Sequence, residues 1–348
     1  MVNIRGDLLM PLLEYSKAYM LAAPFYSGAG HILLFHRVCP ENKRKRISWG
    51  KALEVTPEYL EMTLRFFTER GYKIISLDDL YSALRNKRIG KKFVIFTFDD
   101  GYADNLTYAY PVFKKYNAPF AIYVTTGFPD KRAVPWWYLL EEMLLNNNRI
   151  RIDTGDQRLD LDCTEFSEKE KLFQKISSLI MNGYGNIQLS WVKKIFGLSE
   201  ADIFRMTGEL MLSWEQIKEL SADPLVTLGA HTVHHFVLSK LPEAMVRSEM
   251  DESKNTLESN IKHEVRHFSY PFGNKGQADR REYGIAEECG FRTAATTRTG
   301  NVFFEHGNHL NCLPRITMGE ELGIRRLKFL ASGLTHCINN RFRRVVTV

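Results

Sequence analysis

The segment KFVIFTFDDG, Lys92 to Gly101, decides how this chain is read. Phe93 to Phe98 is a run of aromatic and β-branched residues, the composition of a buried strand. It stops abruptly at Asp99-Asp100, and Gly101 supplies the permissive backbone that lets the chain turn there. Two adjacent carboxylates at the C-terminal end of a buried strand are costly unless they are paired, hydrogen-bonded or metal-bound. Asp-Gly also makes an ordinary Asx-type turn, so the pair alone leaves a capping role open.

Runs of the same kind recur along the chain. They are His31 to His36 (HILLFH), Pro119 to Val124 (PFAIYV), Leu225 to Ala230 (LVTLGA), Arg266 to Tyr270 (RHFSY), Phe291 to Ala295 (FRTAA) and Asn311 to Ile316 (NCLPRI). Helical patterns separate them. One runs from Thr56 to Gly71, opened by Thr-Pro and closed by Gly. Another follows Ser213, where Ser-x-x-Gln reads as a capping box, and a third follows Leu241, where Pro242 suits a first turn. The alternation predicts βα units around a parallel sheet. Residues 130–212 break the rhythm with Trp136-Trp137, three consecutive asparagines, a charged amphipathic section and few strand signals. They read as a helical insertion on one side of the body. The expected layout is an N-terminal amphipathic segment over 1–30, the main body over 31–320 and a basic amphipathic tail over 321–348.

Hydrophobic content of 44% and charged content of 25% describe a soluble chain with a sizeable core. The five cysteines are scattered and odd in number, without a CxxC pair. That argues against a disulfide framework or a thiolate zinc site and favours a reducing compartment. Asp7, Glu14 and Lys17 interrupt the apolar N-terminal segment, so no secretory signal is read there and a cytoplasmic protein is expected. The net charge of +6 resides in the tail, where Arg325, Arg326, Lys328, Arg341, Arg343 and Arg344 meet no acid. No recognition motif or interleaved aromatic pattern accompanies them, so nucleic acid is not an expected partner. Leu327, Leu330, Leu334 and Ile338 stand at helical spacing between the basic clusters. Leu8, Leu9, Leu12, Leu13, Met20 and Leu21 add a second apolar set. Such segments lie in the lipid interface, so peripheral contact with an anionic membrane, on its inner face, and a lipid-linked substrate are expected. Ordinary helices packed on the body are the alternative.

Two more motifs carry chemistry. His231-Thr232-Val233-His234-His235 follows LVTLGA directly; on a helical turn, His231 and His235 would project from one face. Two imidazoles and one carboxylate make a three-ligand site with an open position for water. His234 should point elsewhere. Arg266 to Gly273 (RHFSYPFG) is again a strand followed by a turn, and an amide near Phe272 is placed to donate to an oxyanion, with a plain aromatic-Pro turn as the alternative.

TFDDG (Thr97 to Gly101), HTVHH (His231 to His235) and YPFG (Tyr270 to Gly273) resemble, in order, the first three motifs of the NodB-type polysaccharide deacetylases, carbohydrate esterase family 4. The resemblance spans roughly His31 to Ile316. It implies an α/β fold, a distorted (β/α) barrel of about seven parallel strands, whose C-terminal rim carries the site. It implies Asp99 as general base, and Asp100, His231 and His235 as ligands of one divalent ion, zinc first, with cobalt, nickel or manganese as alternatives. The amide of Phe272 would help hold the oxyanion. The implied reaction is removal of an N-acyl group from an amino sugar in a surface glycan, oligosaccharide or lipid-linked precursor. O-acetyl ester hydrolysis and silent sugar binding on the same scaffold are the alternatives.

Two positions depart from the family's pattern. Ser269 stands where many members have arginine, two residues before the proline of the third motif. Arg315 stands where a late Leu-x-His would supply the general acid, and arginine does not donate a proton usefully at neutral pH. His36, at the end of the first strand, is the candidate acid, with His309 second.

Overall fold

Seven strands close into a ring in the computed structural model, which describes residues 17–41, 45–153, 158–183, 193, 197–321 and 323–347. They are β1 (Gly30–Phe35), β2 (Phe93–Phe98), β3 (Phe120–Val124), β4 (Val226–Ala230), β5 (His267–Ser269), β6 (Thr293–Thr299) and β7 (Leu313–Thr317). Each of the seven apolar runs in the sequence supplies one of them. Around the ring the order is β1-β7-β6-β5-β4-β3-β2, and β2 returns to β1, so the sheet has no free edge within the ring. Every pairing is parallel; β1 and β2 match from Gly30↔Phe93 to Phe35↔Phe98. A short strand, Lys73–Ile74, adds outside the ring on β2.

β1, β2 and β3 are buried along their whole length, as parallel strands covered on both faces must be. Alternate residues separate into two layers. Ile32, Ile95, Ala121, Tyr123, Ala295 and Leu313 share one core, which fills the interior of the ring. Leu33, Phe96, Phe98, Phe113, Phe120 and Ile122 belong to the layer beneath the helices. The period of two therefore continues the inward file of β2 from Ile95 through Thr97 to Asp99, and that of β7 from Leu313 to Arg315.

The surrounding helices start where their capping chemistry places them. Thr56 caps α2 (Pro57–Thr68), its hydroxyl accepting from the Tyr59 amide at 3.2 Å. Ser76 closes a capping box on α3 (Leu77–Arg85), followed by α4 (Tyr110–Tyr116). Residues 130–212 hold α5 (Trp136–Asn146), α6 (Phe166–Gly183) and α7 (Glu200–Leu210). They also hold an antiparallel hairpin, Arg149–Asp153 with Arg158–Asp162, where few strand signals were expected. Its alternation of Ile150, Ile152 and Leu161 with charged residues is a one-sided strand pattern that only a partner core makes clear. That core includes Trp137, Leu140, Leu144, Phe173 and Ile203. The insertion returns to the barrel beside the aspartates, with the Leu212 amide donating to the Gly101 carbonyl at 2.9 Å. Then come α8 (Trp214–Ser221), with the expected capping box, α9 (Glu243–Ile261) and α10 (Arg280–Glu288).

The tail forms α11 (Ile324–Ser332) and α12 (Leu334–Asn339), both packed against α1 (Ala18–Tyr26). Gly333 joins them at φ 79°, and a Cβ there would stand 2.1 Å from the Tyr26 carbonyl oxygen. Leu327 is buried, and Leu330 and Leu334 are half-buried. The tail's apolar stripe is thus mostly turned onto the protein, the packed-helix alternative, and only Ile338 of the four is well exposed. Leu8, Leu9, Leu12 and Leu13 lie outside the described residues. Among the described residues, no helix is long and apolar enough to cross a membrane.

Candidate active site and metal centre

Asp99 leaves β2 pointing into the ring, where Arg315 arrives from β7. The guanidinium grips the carboxylate with two parallel bonds, Nη1 to Oδ1 and Nη2 to Oδ2, each 2.7 Å. Arg315 also donates to the Thr296 carbonyl at 2.9 Å and to the Ser269 hydroxyl at 2.8 Å. Ser269 donates in turn to Asp99 at 3.1 Å. Burial by itself would raise the Asp99 pKa. The charges of Arg315 and His231, with the Arg315 hydrogen bonds, outweigh it and hold the carboxyl below its ordinary value. The two departures from the family pattern therefore belong together. A small residue at 269 on β5 leaves room for a guanidinium delivered by 315 on β7. Sequence reasoning treated Arg315 only as a lost acid. The available signal was an arginine inside the apolar strand NCLPRI, since a buried arginine requires a partner.

Asp100 turns the other way, in left-handed backbone at φ 74°. Its Oδ1 lies 3.2 Å from His231 Nε2 and 3.1 Å from His235 Nε2. All three ligand atoms fall within 4.8 Å of one another, and all three residues are buried. His231 Nδ1 lies 2.7 Å from the Ser269 carbonyl oxygen, which can only accept. The proton is therefore on Nδ1, and the Nε2 lone pair faces the centre. Asp100 Oδ1 is buried without a donor. Two imidazole nitrogens and one carboxylate oxygen that converge on one buried point fit a divalent cation with open coordination positions. The ring of His267, by contrast, serves the fold, bonded to Thr293.

The imidazoles converge for a different reason from the one expected. Residues 231–235 are not a helical turn. They form a loop that reverses through left-handed Thr232 and His235, at φ 64° and 56°. The Thr232 hydroxyl accepts from the His235 amide at 3.0 Å. Buried Glu249 of α9 takes the amides of Val233 and His234 at 3.0 and 2.9 Å. Its other oxygen holds His234 Nδ1 at 2.6 Å, so His234 does point elsewhere. Four non-glycine residues of this one site (Asp100, Thr232, His235 and Phe272) have positive φ, strain that surrounding packing must sustain.

His36 follows β1 on its inward file and is half-buried. Burial pushes its pKa down, opposed by the charges of Asp100 and Asp99; it belongs to the same site. His309 does not. It is exposed, in a groove with Tyr81 and Arg280, beside Gly307, which packs on the Leu84 carbonyl at the end of α3. Phe272 sits at φ 60°. Its ring lies 4.9 Å from that of His235, its carbonyl accepts from Thr297, and its amide has no protein acceptor among the described residues. Trp137 of the insertion packs on His235 as well, also at 4.9 Å, and donates to the Tyr102 hydroxyl at 3.1 Å. Sequence reasoning had noted Trp137 only as part of the insertion; no local signal ties it to a histidine nearly a hundred residues away.

A parallel barrel whose C-terminal rim holds an ionised carboxylate beside a potential metal centre has the architecture of a barrel hydrolase. The chain belongs to the polysaccharide deacetylase family, whose model matches residues 86–176 and 191–294, more than half of its length. It is similar to the putative polysaccharide deacetylase YxkH of Bacillus subtilis (strain 168), with 22% identity over 274 residues, 78% of this chain and 69% of that protein. Among solved structures it resembles the Streptococcus pyogenes deacetylase PplD in complex with acetate, at a TM-score of 0.56 and 20% identity, covering 85% of this chain and 95% of that one. It also resembles IcaB from Ammonifex degensii, at 0.54 and 18%, covering 87% and 97%. These structures share the barrel; the family makes the chain a carbohydrate deacetylase.

Proposed function

We propose that the chain is a metal-dependent N-deacetylase of an amino sugar within a glycan, with Asp99 as general base and His36 as general acid. The observation that carries this reading is the meeting of four functions on one rim. An ionised Asp99 is locked by Arg315, Asp100 converges with His231 and His235, the Phe272 amide has no protein acceptor among the described residues, and His36 feels the charges of both aspartates. Asp100, His231 and His235 would hold a divalent ion, zinc by the chemistry of the donors, which supplies Lewis acidity toward an amide carbonyl and water. Arg315 fixes the Asp99 carboxylate so that it receives the proton of the attacking water. As the carbonyl carbon becomes tetrahedral, the Phe272 amide donates to the developing oxyanion. His36, in its imidazolium form, then gives a proton to the departing nitrogen, completing the exchange of an amide for an amine and a carboxylate.

The five free cysteines support a place in the reducing interior of the cell, during assembly of a glycan, where a lipid-linked precursor is one form the substrate can take. The test is acyl release by the purified protein from matched N-acetylated and O-acetylated oligosaccharides. Acetate with free amine from the first supports the proposal. Release from the O-acetylated set alone makes the protein an esterase, and binding without release makes it a silent module.

A further inference from the structure

Among the described residues, large apolar side chains that remain exposed concentrate where α1 meets the tail helices. Met20 and Leu21 of α1 are 59% and 79% exposed, Phe25 is 65%, and Phe342 just beyond α12 is 69%. Leu21 and Phe25 are four apart, so they form one outward stripe, while the other side of α1 packs on the tail, as in the ring contact of Tyr19 with Phe329. Ile338 of α12 adds to the same end of the molecule. Next to Phe25 opens a hollow of about 450 Å³, with Phe303 and Phe304 in its lining and Lys87, Arg344 and one acid, Glu305, among its walls.

The charge around this face is predominantly basic, Glu305 being the acid in the wall of the hollow. Residues 15–40 contain no acid, and neither do residues 322–348. Arg341, Arg343 and Arg344 are exposed and have no carboxylate partner among the described residues. Several arginines elsewhere are paired, among them Arg37 with Glu54 and Asp104, Arg46 with Glu54 and Glu141, and Arg247 with Glu288. A stable core has no need of exposed Leu21, Phe25 and Phe342, and a soluble acidic protein would not require so apolar a centre. Aromatic and aliphatic side chains rimmed by uncompensated arginines match the acyl boundary and the phosphates of a bilayer.

We propose that this face, built jointly by α1 and the end of the tail, docks on an anionic lipid bilayer. It differs from a tail acting as an amphipathic anchor, because the tail's own stripe packs on the barrel and the inserting groups are chiefly those of α1. The arrangement also orients the enzyme. The hollow lies beside Gly28 and Ala29, at the start of β1, whereas His36 and the rim site lie at its end, roughly 20 Å away along the strand rise. The active site therefore opens away from the lipid. A sugar attached directly to a headgroup does not reach it, so a lipid-linked substrate would be one whose glycan extends into solution.

The experiment is co-sedimentation of the full-length protein with vesicles of phosphatidylcholine alone and of phosphatidylcholine mixed with phosphatidylglycerol. Wild type should bind the anionic vesicles only, with binding weakened by salt. The pair Leu21→Glu/Phe25→Glu and the pair Arg341→Glu/Arg343→Glu should each lower binding about tenfold or more, with thermal melts unchanged. Equal binding to both vesicle types, or variants that bind like wild type, overturns the proposal. So does a wild-type dimer in solution that the apolar variants split, since the face would then cover a second copy. None of these readouts depends on the deacetylase assignment.

Discussion

Replacing Arg315 with methionine removes the guanidinium that holds Asp99 while keeping an apolar side chain of similar reach in β7. Arg315 has no exposed surface and Asp99 almost none, so solvent cannot take over the lost bonds. Breaking one side of such a buried pair costs about 3–5 kcal/mol, because an uncompensated charge remains. An unfolding entropy of about 2.1 cal/mol/K per residue gives roughly 0.7 kcal/mol/K for this length, hence a Tm about 4–7 °C lower at neutral pH. Turnover should fall by about 10²-fold or more, because Asp99 is either protonated or no longer held toward water. The sign of the pH dependence follows from linkage. Asp99 has a depressed pKa in the folded protein, so its stabilisation is present above the unfolded carboxyl value of about 3.9 and is lost as pH falls through the folded value. The Tm gap between wild type and Arg315→Met should accordingly close on acidification. Adding Asp99→Asn to Arg315→Met should recover part of the stability, since the stranded charge is gone, but none of the turnover. Thermal melts across pH and acetate release measure both quantities. A Tm within about 1 °C of wild type, or a double variant less stable than the single, would refute the account of Arg315 as the anchor of a buried charge.

The purified protein should carry about one divalent ion; His231→Ala/His235→Ala should lose it by elemental analysis while the far-ultraviolet dichroism is retained, and a double variant at full metal content would rule out the centre. Asp100→Asn should weaken metal binding whereas Asp99→Asn should keep the ion and lose about 10²-fold in turnover; equal metal affinities for the two contradict the division of roles. His36→Ala should lower kcat most for poor leaving groups, and an unchanged rate across leaving groups removes His36 as the acid. Burial pushes His31 down to about 3 and His306 and His336 to about 4. Their neutral forms stabilise the fold fully above the unfolded value near 6.5, so stability should fall on acidification below it by about 1.4 kcal/mol per pH unit for each histidine. A urea midpoint that stays flat between about pH 6.5 and 5 contradicts this.

What the sequence discloses is what depends on neighbours in the chain. All seven strands could be read because each contains a short apolar run, and β1, β2 and β3 are buried along their whole length. Asp99-Asp100 could be read because carboxylates at the end of such a run are conspicuous. The i, i+4 spacing of His231 and His235 picked out two imidazoles that the structure does bring together, but by another geometry: two left-handed residues, Thr232 and His235, and the side chain of Glu249 do the work assigned to a helical turn. Spacing constrains how far apart the two imidazoles are, not the path between them.

The unread part consists of contacts made by ring closure. Asp99 and Arg315 are separated by 216 residues, and they meet only because β1 stands between β2 and β7, pairing with both. His36 reaches the same centre through β1 itself. The loss of a late histidine and the absence of an arginine at 269 look like independent defects when each is compared with a motif one segment at a time. On the closed ring they are one rearrangement: position 269 contributes a hydroxyl, position 315 contributes the guanidinium, and both meet the same carboxylate. The proposed proton donor lies at a strand end whose inward file also reaches the centre. Ser269 bonds Asp99, Arg315 occupies β7, and the alternation of β1 carries His36 to the same end of the ring, where the proposal assigns it the proton.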